Sequence, residues 1–148
     1  VRSVGRTAIG VRGIRLADKD KVVSLIVAES DDPILTATEK GYGKRTQLDE
    51  YRAQARGGSG VISIKTSNRN GQVVGAIQVT NEDEMMLISD KGTLVRARAA
   101  DVSIIGRNTQ GVTLINIADD EALVSVAKIA ETDDDAEGTE EVEVKSEE

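Results

Sequence analysis

The sequence has 148 residues, a formal net charge of −7 and no Cys, His, Phe or Trp. The lack of Cys and His excludes disulfides, thiolate metal sites, a Cys nucleophile and a His general base. Tyr42 and Tyr51 are the only aromatic residues, so Val, Ile and Leu must fill the core, and these side chains favour strands.

Short β-rich segments bounded by turn residues extend along the sequence. In chain order, strands are predicted at 22–27, 34–38, 61–65, 73–79, 85–89, 93–96, 112–117 and 123–129. Turns are predicted at Glu39-Lys40-Gly41 and Asp90-Lys91-Gly92, and Asn70-Gly71 predicts a type I′ hairpin because both residues tolerate a positive φ. No segment has the apolar stripe of a helix. The predicted fold class is all-β.

Residues 131–148 differ in composition from the rest of the chain. They hold ten acidic residues and one base, Lys145, whereas residues 1–130 hold 16 acidic and 18 basic residues, a net charge of +2. The sequence predicts a mildly basic body at 1–130 and a disordered acidic tail at 131–148. A polyanion-binding body is one interpretation of this asymmetry, and a solvating tail on a neutral domain is the other. Asp133-Asp134-Asp135 lacks calcium-loop spacing, and no metal site is predicted.

An internal repeat of about fifty residues is the most informative feature. An Arg precedes a Gly-Val pair by four residues at Arg6/Gly10, Arg56/Gly60 and Arg107/Gly111, and Lys40-Gly41 recurs as Lys91-Gly92. The three repeats cover approximately 1–50, 51–100 and 101–130. About four strands per repeat predicts the blades of a β-propeller. Three repeats are too few to close a typical ring, so we expect an incomplete ring and a chain, beginning at Val1, that is a fragment of a longer protein.

Five strings of this sequence carry a family resemblance. They are Gly41-Tyr42-Gly43-Lys44-Arg45-Thr46, Gly60-Val61-Ile62-Ser63-Ile64-Lys65, Arg69-Asn70-Gly71-Gln72-Val73-Val74-Gly75, Gly92-Thr93-Leu94-Val95-Arg96 and Gly106-Arg107-Asn108-Thr109-Gln110-Gly111-Val112. Over residues 1 to about 130 the chain resembles the C-terminal domain of the DNA gyrase A protein. The resemblance implies the later blades of a β-pinwheel, a propeller variant in which neighbouring blades exchange strands.

The diagnostic box of that family, Gln-Arg-Arg-Gly-Gly-Arg-Gly, is not present. Gln54-Ala55-Arg56-Gly57-Gly58-Ser59-Gly60 keeps five of its seven residues, in the repeat-equivalent loop of a later blade. We therefore expect this fragment alone to bind DNA without wrapping it fully.

The resemblance implies a function in binding and wrapping duplex DNA in support of ATP-dependent negative supercoiling. The implied partners are double-stranded DNA, the remainder of the gyrase A protein and the gyrase B protein, in the cytoplasm at the nucleoid. No cofactor or small-molecule substrate is expected. No membrane contact is expected either, because no apolar run has the length of a membrane span. Two alternatives remain: the equivalent domain of topoisomerase IV, and a propeller that serves as a protein-interaction platform.

Backbone binding to DNA needs cations along a rigid track and no readout of bases. The candidate phosphate-binding residues are Arg6, Arg12, Arg15, Lys44, Arg45, Arg52, Arg56, Lys65, Arg69, Arg96, Arg98 and Arg107. For Lys44 and Arg45, beside a turn glycine, a phosphate contact is predicted. For the repeated Arg6, Arg56 and Arg107, a structural role in capping turns is the alternative.

Catalysis is not expected from this chain. Gly43-Lys44 is followed by Arg45, where a Walker-type loop requires Ser or Thr. The resemblance implies that the DNA-cleaving tyrosine lies in another part of the enzyme, so Tyr42 and Tyr51 are not assigned that role. An active site at a propeller centre is the weakest hypothesis, because the polar cluster that it needs is missing.

Overall fold

A computed structural model describes residues 2–130, so the predicted tail at 131–148 lies outside the described residues. The strands are β1 (Ile34–Thr38), β2 (Tyr42–Thr46), β3 (Val73–Gln78), β4 (Glu84–Ser89), β5 (Leu94–Arg98), β6 (Val112–Thr113) and β7 (Leu123–Lys128). Two 3-10 turns, Leu48–Glu50 and Ala99–Asp101, follow β2 and β5. All pairs between these strands are antiparallel, and the all-β fold class is confirmed. Within residues 2–130, no helix has the length and apolar character that crossing a membrane requires.

The first sheet has the strand order β3-β1-β2-β6. Strands β1 and β2 form a hairpin whose turn is closed by the Gly41 amide, which donates to the Thr38 carbonyl over 3.0 Å. The hairpin comes from the first sequence repeat, β3 from the second and β6 from the third. One sheet therefore joins three repeats, which is the kind of strand exchange that the resemblance implies.

The second sheet has the order β5-β4-β7 and is built in the same way. Its hairpin closes at Asp90-Lys91-Gly92, and β7 takes the place that β3 has in the first sheet. The register shifts between Ala37 and Thr38 and, equivalently, between Ile88 and Ser89, so both sheets carry the same irregularity. No strand of residues 2–130 pairs with the outer edge of β5, and the two sheets do not close a ring.

The core lies between the two sheets and contains aliphatic residues and methionine. Its buried members are Leu35, Ala37, Val79, Met85, Leu87, Ala99, Val102, Ile115, Leu123 and Val126. Strands β3 and β7 approach closely because β3 carries Gly75, where an added Cβ would lie 3.0 Å from a methyl carbon of Val126. Burial of each Val, Leu, Ile or Met side chain is worth about 1.5–3 kcal/mol, so a core can form without aromatic rings.

Two predicted strands are wrong. Residues 22–27 and 61–65 have β-rich sequences, but neither segment is a strand in the structure. In the repeat, 22–27 corresponds to β3 and β7, each of which pairs with a hairpin strand that begins 39 residues earlier. Residues 61–62 correspond to β6, which pairs with β2 of a hairpin about 70 residues earlier. Neither segment has such a partner within residues 2–130, and without pairing the backbone does not form a ladder.

The structure also changes three smaller predictions. Strand β2 is not among the predicted strands, because its sequence, Tyr-Gly-Lys-Arg-Thr, lacks the apolar residues that favour a strand. The predicted strand at 112–117 is reduced to the two residues of β6. Asn70-Gly71 is not a type I′ hairpin, since Gly71 has a positive φ of 73° but Asn70 does not, and the turn does not join two strands.

Candidate nucleic-acid interface

The loop that carries the Arg and Gly-Val signature has the same backbone feature in all three repeats. Gly10, Gly60 and Gly111 have positive φ angles of 87°, 79° and 82°. At Gly111 the side chain is also excluded by space, because a Cβ would lie 2.6 Å from the Gly43 carbonyl oxygen. The glycine has a positive φ in the first two repeats, where no strand directly follows the loop, as well as in the third repeat, where β6 follows it.

The loops of the first two repeats lie against each other. The Gly57 amide donates to the Gly13 carbonyl and the Arg15 amide donates to the Gly58 carbonyl, each over 2.8 Å. Ile14 and Gly58 form a parallel bridge between these hydrogen bonds. Arg12 and Arg15 are therefore held beside the loop that carries Arg56, and all three side chains are exposed.

The loops of the second and third repeats are joined in a similar way. The Lys65 amide donates to the Thr109 carbonyl over 2.8 Å, and Nη1 of Arg107 donates to the Ile62 carbonyl over 2.7 Å. The buried side chain of Asn70 donates from Nδ2 to the carbonyls of Lys65 and Gln110 over 2.9 and 3.0 Å. These contacts continue the row from Arg56 to the third repeat.

The connected loops carry five cations along one row of hydrogen-bonded backbone. We call this set the cationic rim: Arg12, Arg15, Arg56, Lys65 and Arg107. Within residues 2–130, none of the five forms a salt bridge between its side-chain nitrogens and a carboxylate oxygen. The arrangement can present several positive charges to an extended polyanion, because backbone bonds fix the spacing of the loops.

Arg107 has two kinds of contact. Its amide donates to Oε2 of Glu50 over 3.1 Å, and its guanidinium is half-buried against the Ile62 carbonyl. Its Nε is buried and has no hydrogen-bond partner among the described residues. The structural role that was the alternative for Arg107 is therefore present, alongside the partial exposure that a phosphate contact requires.

The remaining exposed candidates make none of the hydrogen bonds that join these loops, or are paired with carboxylates. Arg6 and Arg52 are exposed, and Arg69 lies over the ring of Tyr42 at 4.9 Å from its centroid. Arg96 pairs with Glu84, and Arg98 pairs with Asp101 at 3.2 Å. A carboxylate beside each of these last two cations weakens its attraction for phosphate.

Lys44 does not lie on the surface. Its side chain is buried, and Nζ donates to the carbonyls of Gly106 and Arg107 over 2.6 and 2.5 Å and to Oγ1 of Thr109 over 3.1 Å. The pKa of Lys44 is lowered to about 8, chiefly by burial, with Glu50 opposing the shift and Arg107 contributing to it. The prediction that Lys44 contacts phosphate is corrected, since all three of its donors are used inside the protein.

Arg45 is corrected for the same reason. It is 4% exposed, and its guanidinium donates to the Val102 carbonyl over 2.8 Å and to Oδ1 of Asn81 over 2.6 Å. Burial lowers the pKa of Arg45 from its ordinary value, and a guanidinium remains charged in proteins. Both cations of β2 therefore bind backbone and amide oxygens inside the protein.

Sequence reasoning did not assign Glu50, Asn70 or Thr109 to the site. Glu50 lies in the 3-10 turn after the hairpin, and Asn70 is fully buried. Oγ1 of Thr109 accepts a hydrogen bond from Lys44 and donates one to the Gly106 carbonyl. One signal was available for Thr109, because it lies inside the Gly106 to Val112 string that carries the family resemblance. Asn70 likewise lies inside the Arg69 to Gly75 string, but nothing in the sequence predicts its burial.

The strand exchange, the repeated sheets and the arginine loops define a segment of a β-propeller-type domain with a cationic edge. The family model described as DNA gyrase C-terminal domain, beta-propeller, matches this chain in three consecutive stretches, residues 1–29, 32–80 and 83–130. The chain belongs to the DNA gyrase C-terminal domain family.

Curated relatives and solved structures agree with this membership. The DNA gyrase A protein of Salmonella typhimurium is 57% identical over 137 residues, which cover 93% of this chain and 16% of the relative. The Escherichia coli gyrase A protein is 56% identical over 135 residues, 91% of this chain and 15% of the relative. The chain thus spans about a sixth of the length of these relatives.

A solved structure of the DNA gyrase A C-terminal domain superposes with a TM-score of 0.76 at 33% identity, over 82% of this chain and 41% of that one. The C-terminal domain of DNA topoisomerase IV superposes with a TM-score of 0.73 at 23% identity, over 80% of this chain and 38% of that one. At that identity the second likeness shows the fold alone, whereas the sequence relatives above are gyrase proteins.

Proposed function

We propose that this chain binds the backbone of duplex DNA along the cationic rim and bends it, as part of the DNA-wrapping domain of a gyrase A protein. The observation that carries the proposal is the row of five cations on loops of three repeats that are hydrogen-bonded to one another. Cations at fixed intervals on a curved edge favour bent DNA and require no contact with base edges. Lys44 and Arg45 do not belong to this surface.

In the complete enzyme, this bending would support ATP-dependent negative supercoiling. The proposed partners are double-stranded DNA, the remainder of the gyrase A protein and the gyrase B protein, and the proposed location is the bacterial cytoplasm at the nucleoid. Family membership and the gyrase A relatives support this assignment. Nothing in the proposed function requires a cofactor bound to this chain.

The first test measures duplex affinity for the 148-residue chain over a series of salt concentrations. If three to five phosphates are neutralised by the rim, log K falls against log salt with a slope of about −2.7 to −4.5. A protein-interaction platform predicts a shallow slope and weak binding. Such a result, obtained with the chain and again with the complete gyrase A protein, would reject the proposed function.

A charge-matched pair of variants locates the surface. Arg12→Ala with Arg15→Ala removes two cations of the rim, and Arg96→Ala with Arg98→Ala removes two cations that are paired with carboxylates. We expect the first pair to make the slope shallower by about 2 and the second to change it by less than about 0.5. Equal changes in both pairs would show that net charge matters and the rim does not.

A further inference from the structure

Strand β2 is bound along its length by a segment of the third repeat. The Arg45 amide donates to the Ser103 carbonyl over 3.0 Å, and the Ile105 amide donates to the Arg45 carbonyl over 2.9 Å. Oγ1 of Thr46 donates to the Ile105 carbonyl over 2.9 Å. The chain from 103 to 105 is therefore fixed to the first hairpin immediately before it enters the loop that carries Arg107.

The Lys44 side chain extends the same contact into the loop. Its ammonium group has three donors, and they bind the Gly106 carbonyl, the Arg107 carbonyl and Oγ1 of Thr109. Thr109 also donates to the Gly106 carbonyl over 2.9 Å, so the loop folds around the ammonium group. One ammonium group thus contacts three of the four residues 106–109.

An apolar side chain would fill the same space at a lower desolvation cost, so packing alone does not explain a lysine here. The position 51 residues later in the repeat supports this argument, since the equivalent residue is Val95. Beside Val95, no strand of the described chain pairs with the outer edge of β5. The lysine occurs in the hairpin that binds an arginine loop, and valine occurs in the hairpin that binds none within residues 2–130.

Arg107 is held from two sides. Lys44 binds its carbonyl and Glu50 accepts from its amide, so the backbone of Arg107 is bonded to β2 and to the 3-10 turn after β2. Its side chain then reaches the Ile62 carbonyl of the second repeat and keeps its place in the cationic rim.

We propose that Lys44 is a positioning residue for the DNA-binding edge: its buried ammonium group fixes the 106–109 loop of the third repeat and so presents Arg107 in the cationic rim. The inference rests on the proposed function for its link to DNA, but the placement of the loop can be measured without DNA. Lys44 itself contacts no nucleic acid in this scheme.

Hydrogen exchange in the complete gyrase A protein tests the placement of the loop. In Lys44→Met we expect the amides of 105–110 to exchange roughly tenfold faster, because the loop loses three hydrogen bonds from a charged donor. Thr109→Val is the milder variant, with an expected increase of roughly threefold, and it serves if Lys44→Met does not fold. Lys91→Met is the control, since it removes one exposed cation from the second hairpin. Unchanged exchange at 105–110 in both Lys44→Met and Thr109→Val would overturn the proposal.

Duplex affinity at low salt tests the link to the rim. We expect Lys44→Met and Arg107→Ala each to weaken binding roughly threefold to tenfold, and the double variant to be no weaker than Arg107→Ala. Faster exchange with an affinity equal to that of Lys91→Met would overturn the positioning role. Failure of the proposed function looks different, since the Arg12→Ala, Arg15→Ala variant would then bind as tightly as the unchanged protein.

Discussion

In β2, residues 43–46 are buried, whereas in β5, the equivalent strand of the second sheet, Leu94, Arg96 and Arg98 are exposed. The two hairpins have the same turn, the same register irregularity and the same place in the repeat. They differ in what covers them: β6 and residues 103–109 lie along β2, and no strand of residues 2–130 pairs with the outer edge of β5. Exposure of a repeat position is therefore decided by a distant segment and not by the hairpin itself.

The turn glycines give the largest expected difference between the two hairpins. Gly41 and Gly92 both have positive φ, at 77° and 86°. A Cβ at Gly41 would lie 2.4 Å from the Ile115 carbonyl oxygen, whereas a Cβ at Gly92 would meet no atom within 4 Å. We expect Gly92→Ala to cost about 1 kcal/mol from φ alone, and Gly41→Ala to cost about 3 kcal/mol or more because the Ile115 backbone must also move.

Urea unfolding of both variants measures this difference through the shift in midpoint at constant slope. Similar losses of unfolding free energy in the two variants would mean that the Ile115 backbone does not lie against Gly41 as it does in the structure.

Arg45 and Arg96 are the next comparison, since they occupy one repeat position in two environments. Arg45 is buried and binds the Val102 carbonyl and Asn81, and Arg96 is exposed and pairs with Glu84. Arg45→Met should lower the free energy of unfolding by about 2–3 kcal/mol, because buried oxygens lose their donors. Arg96→Met should lower it by less than about 0.5 kcal/mol, as is usual for a surface ion pair.

Thermal or urea unfolding of the two variants, each compared with the unchanged chain, measures these two losses of unfolding free energy. A loss at Arg96 as large as that at Arg45 would show that β5 is covered in solution.

These positions also show what the sequence could predict. The residues of β1 were predicted without error because its apolar pattern and the following Lys-Gly turn are local features. The strand exchange followed only from the family resemblance. The inward direction of Lys44 and Arg45 was not predictable from the repeat, because it depends on a segment about 60 residues later in the chain that covers β2.

Dependence on a distant partner also explains why the segments 22–27 and 61–65 are not strands. Their side chains suit a strand, but a strand exists only where another backbone accepts its hydrogen bonds. Local pattern therefore predicted which residues are suited to a ladder, and only the three-dimensional structure shows which of them have a partner. For the candidate interface, the sequence predicted twelve cations, of which the structure places five in the cationic rim and buries two, Lys44 and Arg45.

The smallest expected effect concerns the proton of Lys44, for which the second hairpin has no counterpart because Val95 cannot titrate. Burial lowers the pKa of Lys44 from 10.5 to about 8, with Glu50 and Arg107 as the charged groups that modify it. Between these values the unfolded chain binds more protons than the folded chain. The stability of the folded state should therefore rise as the pH increases from about 8 towards 10.5, and this gain should be absent below pH 8.

The unfolding free energy of the unchanged chain minus that of Lys44→Met isolates this contribution, since other groups titrate alike in both. At pH 9.5 the difference should exceed its value at pH 7.5 by about 1–2 kcal/mol. The matched pair Val95→Met and unchanged chain should show no such trend. A difference that stays flat would show that Lys44 is solvated, and a solvated Lys44 could not hold the Arg107 loop in place. A difference that falls as the pH rises would show that the fold stabilises the ammonium group, and it would reject the lowered pKa but not the buried position of Lys44.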